Sequence, residues 1–229
     1  MRAPGGLIAA GRDADIFEYG PGLVLRQSRH GRSMADEARI MEYVRARGYP
    51  VPAVESVSDD GLRLVMQRID GLNMLDTLMR RPWAVRHYGR LLADLHHALH
   101  RLAGPPWLGV SSIAAGDRIV HLDLHPLNVI MSPTGPVVID WTNAKRGDPS
   151  ADLALTWILL EAGSLPTNRL VGALLRTVRR MLIDSFLGSF DVAAVAPSLR
   201  RVVEWKVHDP NMSGDEQAAM WRVVAEKGG

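Results

Sequence analysis

Short runs of apolar residues in the N-terminal third of the chain predict β-strands separated by tight turns. The turns are indicated by Gly, Pro, Asp and Ser between the runs. The predicted strands lie within residues 7–17, on both sides of a turn that contains Gly11, and at residues 23–26, 53–57 and 62–67. The N-terminal third is therefore expected to be rich in β-structure.

One helix is predicted within this β-rich part, at residues 34–47. Ser33 precedes the helix as the expected N-cap residue, and Asp36 places a negative charge in its first turn. Gly48 follows the last turn, where glycine commonly ends a helix.

On this helix Glu37 shares a face with the apolar residues Met41 and Val44. A carboxylate that is buried among apolar residues needs a cation or hydrogen-bond donors. Arg26, on the third predicted strand, is the candidate partner. The alternatives are that Glu37 lies at the edge of the apolar face and only complements the helix dipole, and that Arg26 is a solvated strand residue.

The rest of the chain is predicted to be mainly helical, because apolar residues recur at three- and four-residue intervals. Asp148 followed by Pro149 is typical of an N-cap and first helical residue, and Ser213 with Glu216 forms a capping box. The predicted helices lie at residues 83–102, 149–160, 168–187 and 192–207, with a last one from residue 213. The chain is therefore assigned to the α+β class.

Candidate chemistry lies in His121-Leu-Asp123-Leu-His125-Pro-Leu-Asn128 and in Asp140, which follows the apolar residues Val-Val-Ile. Phosphoryl transfer needs a group that accepts the proton of the attacking hydroxyl, and oxygen ligands for Mg²⁺. Asp123, Asn128 and Asp140 supply this set. They also match the kinase pattern of an Asp and an Asn at this offset, followed by an Asp that ends a strand.

The residues between Asn128 and Asp140 predict a β-hairpin. Ser132-Pro-Thr-Gly135 is typical of a tight reversal, so residues 128–131 and 136–140 are expected to pair and to bring Asn128 and Asp140 to the same end. A His-x-Asp triplet alone is often only a turn, but its combination with the Asn, the reversal and the second Asp favours phosphoryl transfer.

These residues, together with Ile139-Asp140-Trp141 and Gly147-Asp148-Pro149-Ser-Ala-Asp152-Leu-Ala, resemble the aminoglycoside phosphotransferase family. The resemblance is strong at residues 115–157 and implies a two-lobed protein-kinase-like fold. The implied parts are a small β-rich N-lobe at residues 1–66, a hinge at 67–71 and a larger, mainly helical C-lobe at 72–229 that carries the acceptor site.

The same resemblance implies roles for particular residues. Asp123 would be the catalytic base, His121 and Asn128 would belong to the same catalytic loop, and Asp152 would brace that loop. Asn128 and Asp140 would bind Mg²⁺, and ATP would lie between the lobes, with GTP left open. The implied nucleotide-binding residues are Gly11, Arg26, Glu37, Met66, Gln67, Ile69 and Ile139. The implied acceptor is a hydroxyl of a small molecule of the aminoglycoside, sugar or amino-alcohol class.

Two positions depart from the family pattern. Kinase-like folds place a Lys on the third strand, but this chain has lysines only at Lys145, Lys206 and Lys227, so Arg26 is expected to take that role. Several members carry a second acidic residue where this chain has Thr142. These departures keep open a catalytically inactive nucleotide-binding module as an alternative.

A second alternative is a metallohydrolase that uses His121, Asp123 and the histidines of the helix at residues 83–102. That helix carries His96 and His100 one turn apart, together with His97. The interior Glu of an H-E-x-x-H zinc motif is absent from it, so packing and helix-end roles are favoured for these histidines.

Composition narrows the remaining classes. The chain has 229 residues, of which 47% are hydrophobic, and this suffices for a substantial core. A net charge of +2 and scattered basic residues argue against a nucleic-acid partner. The absence of Cys excludes disulfides and thiolate sites, and no long apolar segment or signal peptide is present. A cytoplasmic protein with no membrane partner is therefore expected.

Overall fold

The structure, a computed structural model, describes residues 4–11, 13–163, 169–209 and 212–227. The strands are β1 (Leu7–Ala10), β2 (Ala14–Glu18), β3 (Leu23–Ser28), β4 (Val54–Val57), β5 (Arg63–Gln67), β6 (Leu72–Asn73), β7 (Arg118–Val120), β8 (Val129–Ser132), β9 (Gly135–Val138) and β10 (Lys145–Gly147). The helices are α1 (Ala35–Arg45), α2 (Met74–Arg80), α3 (Val85–His100), α4 (Pro149–Ala162), α5 (Arg169–Leu187), α6 (Val192–Val195), α7 (Leu199–Lys206) and α8 (Gly214–Lys227).

The chain forms two compact units. The first consists of residues Met1–Leu72 and Val129–Ala144, and the second of Asn73–Asn128 and Lys145–Gly229. The segment that contains β8 and β9 thus belongs to the N-terminal unit. The lobe boundaries inferred from the sequence, with a hinge at residues 67–71, stay a prediction.

The first unit is built on an antiparallel sheet with the strand order β1-β2-β3-β5-β4. Helix α1 packs against β4. It ends at Arg45, and the turn that follows contains Gly48 with a positive φ of 80°, a conformation in which a side chain is strained. The apolar core of this unit is formed by Leu25, Ile40, Met41, Val44, Leu64 and Val65. Its position between the sheet and α1 places the middle of β3, including Arg26, next to the helix.

Strands β8 and β9 form the predicted antiparallel hairpin in the same unit, with Val129 opposite Val138. Asn128 is therefore the residue at which the chain enters the hairpin, and Asp140 lies two residues beyond its end. The Val138 N–H donates to Pro50 O at 2.8 Å. Trp141 is buried, with its ring edge-on to Tyr49 at a centroid distance of 5.5 Å. These contacts fix the backbone on both sides of Asp140.

The second unit is mainly helical. Helix α3 packs against α5, and α4 packs against α5, α7 and α8. Residues 151–158 of α4 are all buried, so this helix lies in the core of the unit. Strands β7 and β10 pair antiparallel beside it, with Val120 opposite Lys145. The 121–128 loop leaves β7 and therefore starts next to α4.

The α+β class is confirmed, as are the hairpin and the helices at α1, α3, α4 and α8. Two details are wrong. Met34 is the N-cap residue of α1; its buried side chain starts the helix one residue later, and the Ser33 hydroxyl only accepts a bond from the Ala35 N–H at 3.2 Å. The predicted helix at residues 192–207 is broken into α6, a 3-10 turn at Ala196–Ser198 and α7, because Pro197 has no N–H to donate within a helix.

Two further points concern the predicted elements. The predicted helix start at Asn168 lies outside the described residues. Strands β7 and β10 are too short and too mixed in character to have been predicted.

In the described part of the chain no single helix is long and apolar enough to cross a membrane. The bent pair Gly172–Leu187 and Val192–Lys206 together has the length and composition of a span.

Candidate active site

The 121–128 loop of the second unit holds the carboxylate of Asp123 between two side chains. The Asn128 amide nitrogen donates to the Asp123 carbonyl oxygen at 2.9 Å and to its Oδ2 at 3.1 Å. His125 Nε2 lies 3.6 Å from Asp123 Oδ1. The loop ends in a 3-10 turn at Pro126–Asn128, which turns Asn128 back toward Asp123. Asp123 is thus held in one orientation and remains 19% exposed, within reach of a ligand.

His125 lies next to Asp123. Its Nδ1 accepts a hydrogen bond from the Leu127 N–H at 3.3 Å, and its Nε2 lies 3.5 Å from the Asn128 amide nitrogen. The distance of 3.6 Å between Nε2 and Asp123 Oδ1 is longer than a hydrogen bond. His125 therefore forms part of the surroundings of the Asp123 carboxylate.

Asp152 binds the main chain at the start of this loop. It is completely buried in the first turn of α4, where it follows the N-cap residue Asp148. Its Oδ2 accepts bonds from the His121 N–H at 3.0 Å and from His100 Nε2 at 2.9 Å, and its Oδ1 accepts one from the Leu122 N–H at 2.7 Å. The predicted hydrogen bonding from Asp152 to the loop around His121 is present.

These donors also decide the charge of Asp152. Burial alone would raise the pKa of this carboxyl, but the hydrogen bond and charge of His100, with contributions from His96 and His121, hold the pKa well below its usual range. Asp152 is therefore a buried anion that binds two consecutive main-chain N–H groups of the loop.

The backbone of the loop is strained at that point. Leu122 has a φ of 57°, although it is not glycine and its side chain is buried. Such a conformation costs free energy and persists only where the surroundings impose it. The conformation turns the N–H groups of His121 and Leu122 toward the same carboxylate. Asp152 thus maintains the strained turn that leads to Asp123.

The histidines of α3 have structural partners. His96 is buried, with Nδ1 2.9 Å from Leu92 O and Nε2 3.0 Å from Thr156 Oγ1, and burial lowers its pKa to about 4. His97 lies 3.2 Å from Ser189 O, and His100 is bonded to Asp152. No group of three or more His, Cys, Asp or Glu suited to a metal ion is found among the described residues. The metallohydrolase alternative therefore loses its support.

The first unit contains a second polar group, centred on Arg26. Arg26 lies on β3 and Glu37 on α1, and both side chains are buried. The guanidinium Nη1 donates to Glu37 Oε1, and Nη2 lies 3.5 Å from Asp140 Oδ1. The predicted pairing of Arg26 with Glu37 is confirmed, and the same guanidinium also contacts Asp140.

Thr142 connects the two carboxylates. Its hydroxyl Oγ1 lies 2.9 Å from Asp140 Oδ1 and 3.1 Å from Glu37 Oε2. Thr142 belongs to a 3-10 turn at Trp141–Asn143, which follows Asp140. Asp140 itself has a left-handed backbone, with φ 65° and ψ 67°. The turn therefore presents the Thr142 hydroxyl to both carboxylates, a contact that the sequence did not indicate.

The charge state of Arg26 reflects its two anionic neighbours. Burial lowers its pKa, but the charges of Glu37 and Asp140 and the hydrogen bonds to them overcome this effect, so the pKa is raised. The guanidinium is therefore a permanent positive charge. Burial also acts on Glu37, whose pKa it raises against the opposing charge of Arg26.

The remaining predicted nucleotide-binding residues lie on the sheet of the first unit. The Gly11 N–H donates to Ala14 O at 3.0 Å, and a Cβ at this position would come within 2.6 Å of the same oxygen, so the turn requires glycine. On and after β5, Gln67 N–H donates to Ala53 O and Arg68 N–H to Gly22 O, each within 2.9 Å. Met66 is buried, and Ile69 and Ile139 are half-buried.

Comparison with known proteins identifies the family. A sequence model described as the phosphotransferase enzyme family (APH) matches residues 7–116 and 114–197, which together are most of the chain. The chain belongs to this phosphotransferase family. The predicted resemblance to aminoglycoside phosphotransferases is thereby confirmed, and as a family member the protein is a phosphotransferase that uses an alcohol group as acceptor. No match was found among curated proteins.

Solved structures of other phosphotransferases have the same fold. A thermostable mutant of aminoglycoside phosphotransferase APH(4)-Ia, in a ternary complex with AMP-PNP and hygromycin B, is 15% identical with a TM-score of 0.65, covering 98% of this chain and 94% of that chain. A choline/ethanolamine kinase family protein from Mesorhizobium loti is 14% identical with a TM-score of 0.63, covering 97% and 86%. Amicoumacin kinase hAmiN, in complex with AMP-PNP, Ca²⁺ and Ami, is 14% identical with a TM-score of 0.55, covering 96% and 86%. At these identities the likeness shows the fold.

Each unit of the phosphotransferase contains a side chain whose oxygen suits a divalent cation: Asn128 in the second unit and Asp140 in the first. The nitrogen of the Asn128 amide is used by Asp123, so its oxygen is the end available to a cation. The side chain of Asp140 is 42% exposed. Hard cations prefer such oxygen ligands, and phosphate oxygens of a nucleotide would complete the coordination.

The phosphotransferase site contains residues that the sequence did not single out. For His100 the sequence favoured a packing or helix-end role without a partner, and the structure shows that it donates to Asp152. Thr156, one turn after Asp152 on α4, lies with its hydroxyl 2.8 Å from Leu124 O and so supports the same loop. The spacing of Asp152 and Thr156 on one helical face, four residues apart and both polar within an apolar helix, was the available signal.

Proposed function

We propose that this phosphotransferase transfers the γ-phosphate of ATP, bound with Mg²⁺, to a hydroxyl group of a small molecule of the aminoglycoside, sugar or amino-alcohol class. The observation that supports this most strongly is the fixed carboxylate of Asp123. It is oriented by Asn128, with His125 beside it, on a loop that the buried Asp152 holds in a strained conformation. A fixed carboxylate within reach of a ligand suits the proton acceptor of a phosphoryl-transfer enzyme.

In this proposal Asp123 accepts the proton of the attacking hydroxyl. Asn128 donates to its Oδ2 and limits the orientation of the carboxylate, and His125 lies beside its Oδ1. His121 contributes through its main-chain N–H, which Asp152 binds. The acceptor hydroxyl would therefore be positioned before the phosphoryl group is transferred, which is the main contribution that a protein makes to this chemistry.

The first unit would bind the phosphates. Arg26 is a permanent cation whose planar guanidinium can donate to phosphate oxygens, and Glu37 fixes its orientation. Asp140 and Asn128 would hold Mg²⁺, which when bound would withdraw charge from the phosphate oxygens. The close turn at Gly11 would allow the main chain to approach the phosphates without a side chain between them.

The nucleotide base is assigned to the segment 67–71. The N–H groups of Gln67 and Arg68 are already used within the sheet. Within the described residues the Ile69 N–H has no protein acceptor, so it is the donor proposed for the adenine edge. The side chains of Met66, Ile69 and Ile139 would contact the faces of the ring. Competition of ATP and GTP for a fluorescent adenine nucleotide would test the choice of base.

The acceptor class rests on the relatives. Those described above include proteins bound to hygromycin B and to amicoumacin, and a member of a choline and ethanolamine kinase family. Aminoglycosides, choline and ethanolamine carry hydroxyl groups together with nitrogen-bearing groups. We therefore propose a small hydroxylated acceptor, with amino-bearing compounds as the first to be tested.

A transfer assay tests the proposal. Purified protein is incubated with ATP, Mg²⁺ and one compound at a time from a panel of aminoglycosides, amino alcohols, sugars and nucleosides, and phosphorylated product is detected by mass spectrometry. The Asp123→Asn variant is the matched control, because it preserves the size of the side chain and removes its basicity. Product formed by the natural protein and not by the variant supports the proposal. Equal product from both would show that Asp123 is not the base.

A further inference from the structure

A short connection between β3 and α1 carries two arginines of the first unit. Arg29 and Arg32 lie in it, and both are exposed. The connection forms a tight turn, because the Arg32 N–H donates to Ser28 Oγ at 3.0 Å and Gly31 adopts a positive φ of 69°. The two guanidinium groups contact different segments of the same unit.

Arg29 contacts the turn between β1 and β2, called the Gly11 turn after the glycine that the proposed function places near the phosphates. Its Nη1 donates to Gly11 O at 2.8 Å, and its main-chain N–H donates to Asp13 O at 3.0 Å. Its Nε lies 3.5 Å from Asp15 Oδ1, and because both side chains are partly exposed this ion pair contributes little by itself. Arg29 therefore binds the Gly11 turn mainly through two main-chain carbonyl oxygens.

Arg32 contacts the segment 140–143, called the Asp140 turn. Its Nη2 donates to Thr142 O at 3.1 Å. The hydroxyl of the same Thr142 lies 2.9 Å from Asp140 Oδ1. Arg32 thus binds the main chain of the residue whose side chain contacts the proposed metal ligand.

The charges around the two arginines favour a positioning role over an anion site. Arg29 and Arg32 carry two positive charges, and Asp13 and Asp15 beside Arg29 carry two negative charges. These four charges sum to zero and give no net attraction for an anion. The groups that accept from the two side chains are carbonyl oxygens of the main chain. A planar guanidinium has several donors in fixed directions, so it limits the movement of a carbonyl that it binds.

We propose that Arg29 and Arg32 are positioning residues that hold the Gly11 turn and the Asp140 turn in place before the nucleotide binds. The inference rests on the proposed function, because it assumes that the nucleotide phosphates bind at these two turns. Without the arginines the nucleotide itself would have to order the turns, and this cost would weaken its binding. The cost concerns the phosphates and not the base, which is assigned to the segment 67–71.

Calorimetric titrations with AMP-PNP and Mg²⁺, and separately with adenosine, test this role. In Arg29→Gln and in Arg32→Gln the affinity for AMP-PNP is expected to fall by about fivefold, because a hydrogen bond that orders a turn is lost. The affinity for adenosine should be unchanged, since adenosine has no phosphates. Arg29→Lys keeps a charged donor and should recover part of the affinity for AMP-PNP. Arg63→Gln, which changes an exposed arginine of β5 in the same sheet, is the control and should leave both affinities unchanged.

Three outcomes would contradict the inference. Equal losses of affinity for AMP-PNP and for adenosine in the glutamine variants would overturn it, because a general loss of structure affects both ligands. Unchanged AMP-PNP affinity in either glutamine variant would overturn the role of that arginine and leave the proposed function intact. A natural protein that does not bind AMP-PNP at all would overturn the inference together with the proposed function. Since both side chains are exposed, the variants should unfold at the urea midpoint of the natural protein; if one fails to fold, the other decides.

Discussion

Two aspartates carry the proposed chemistry, and the protein holds them by different means. Asp123 lies on a loop whose main-chain N–H groups are bound by the buried Asp152. Asp140 is held by side chains, through Arg26 and the Thr142 hydroxyl. Main-chain support does not depend on which side chains the loop carries, whereas side-chain support changes with one substitution. Substitutions around Asp140 can therefore distinguish this chain from other phosphotransferases without changing the geometry of the 121–128 loop.

The two regions share one feature of the backbone. Leu122 and Asp140 are the non-glycine residues with positive φ in the described part of the chain, at 57° and 65°. Strained backbone of this kind concentrates at functional sites, where the surroundings impose it. In the loop the imposing group is the Asp152 carboxylate, and at Asp140 it is the turn that begins with the buried Trp141.

Replacing each of the two aspartates by asparagine in turn tests whether they have separate roles. Asp123→Asn removes the proton acceptor and is expected to lower kcat by about 1,000-fold, with little change in nucleotide affinity. Asp140→Asn is expected to weaken Mg²⁺-dependent nucleotide binding. Initial rates with the best acceptor and calorimetric titration of AMP-PNP with Mg²⁺ measure both effects. A loss of nucleotide affinity of the same size in both variants would contradict the separate roles.

Because the buried Asp152 carboxylate binds the main chain of the loop before Asp123, its loss should lower the stability of the protein. In Asp152→Asn one carboxylate oxygen becomes an NH₂ group, which cannot accept the bonds of buried donors, so the free energy of unfolding should fall by about 3 kcal/mol. Asp148→Asn on the same helix is the control, because Asn caps a helix as well as Asp does. Urea unfolding of both variants measures the difference. A small loss in Asp152→Asn, equal to that of the control, would show that the loop does not depend on this carboxylate.

Much of the fold was predictable because local signals agreed with the final structure. The hairpin followed from Pro and Gly in a reversal, α4 from Asp148 and Pro149, and the burial of Glu37 from its apolar face. The broken helix after α5 was missed because apolar periodicity continues through Pro197, and periodicity was given more weight than the missing N–H. Ser33 was wrongly predicted as the N-cap residue because burial of Met34, a tertiary effect, decides where α1 begins.

The candidate site was predictable as a set of residues but not as a network. Asp123, Asn128 and Asp140 came from spacing. The second contact of Arg26 and the Thr142 bridge join residues that are far apart in sequence, and no local pattern reports such pairing. His100 was noticed for its distance from His96, but its partner Asp152 lies on another helix. The packing and helix-end roles favoured for these histidines agree with the structure, but the sequence could not name the partner of each ring.

The buried His96, which lies near Asp152, predicts that the protein becomes less stable at acidic pH. Burial lowers the pKa of His96 to about 4 from 6.5, so below pH 6.5 the unfolded chain binds a proton that the folded protein does not. Stability should therefore fall as the pH decreases, by about 2 kcal/mol between pH 7 and pH 5 from this residue alone. Neighbouring Asp152, whose pKa is lowered, adds a further loss only at more acidic pH.

Urea unfolding at several pH values measures this dependence. In His96→Gln the slope between pH 5 and pH 7 should be reduced. His87→Gln, which changes an exposed histidine of the same helix, should retain the slope of the natural protein. The same slope in all three proteins would show that His96 is not the titrating group.

The smallest expected effect comes from removing the Thr142 hydroxyl, which contacts Asp140. In Thr142→Val the shape of the side chain is kept and the hydroxyl is lost, which removes about 1 kcal/mol of positioning from Asp140. The Mg²⁺ concentration for half-maximal nucleotide binding should therefore rise by about fivefold, since 1.4 kcal/mol corresponds to tenfold. Thr142→Ser keeps the hydroxyl and should restore the natural value. Because Asp123 is held through the main chain of another segment, kcat at saturating Mg²⁺ should be unchanged in both variants. A lower kcat in Thr142→Val that excess Mg²⁺ does not correct would show that this hydroxyl acts on the reaction itself and not only on the metal ligand.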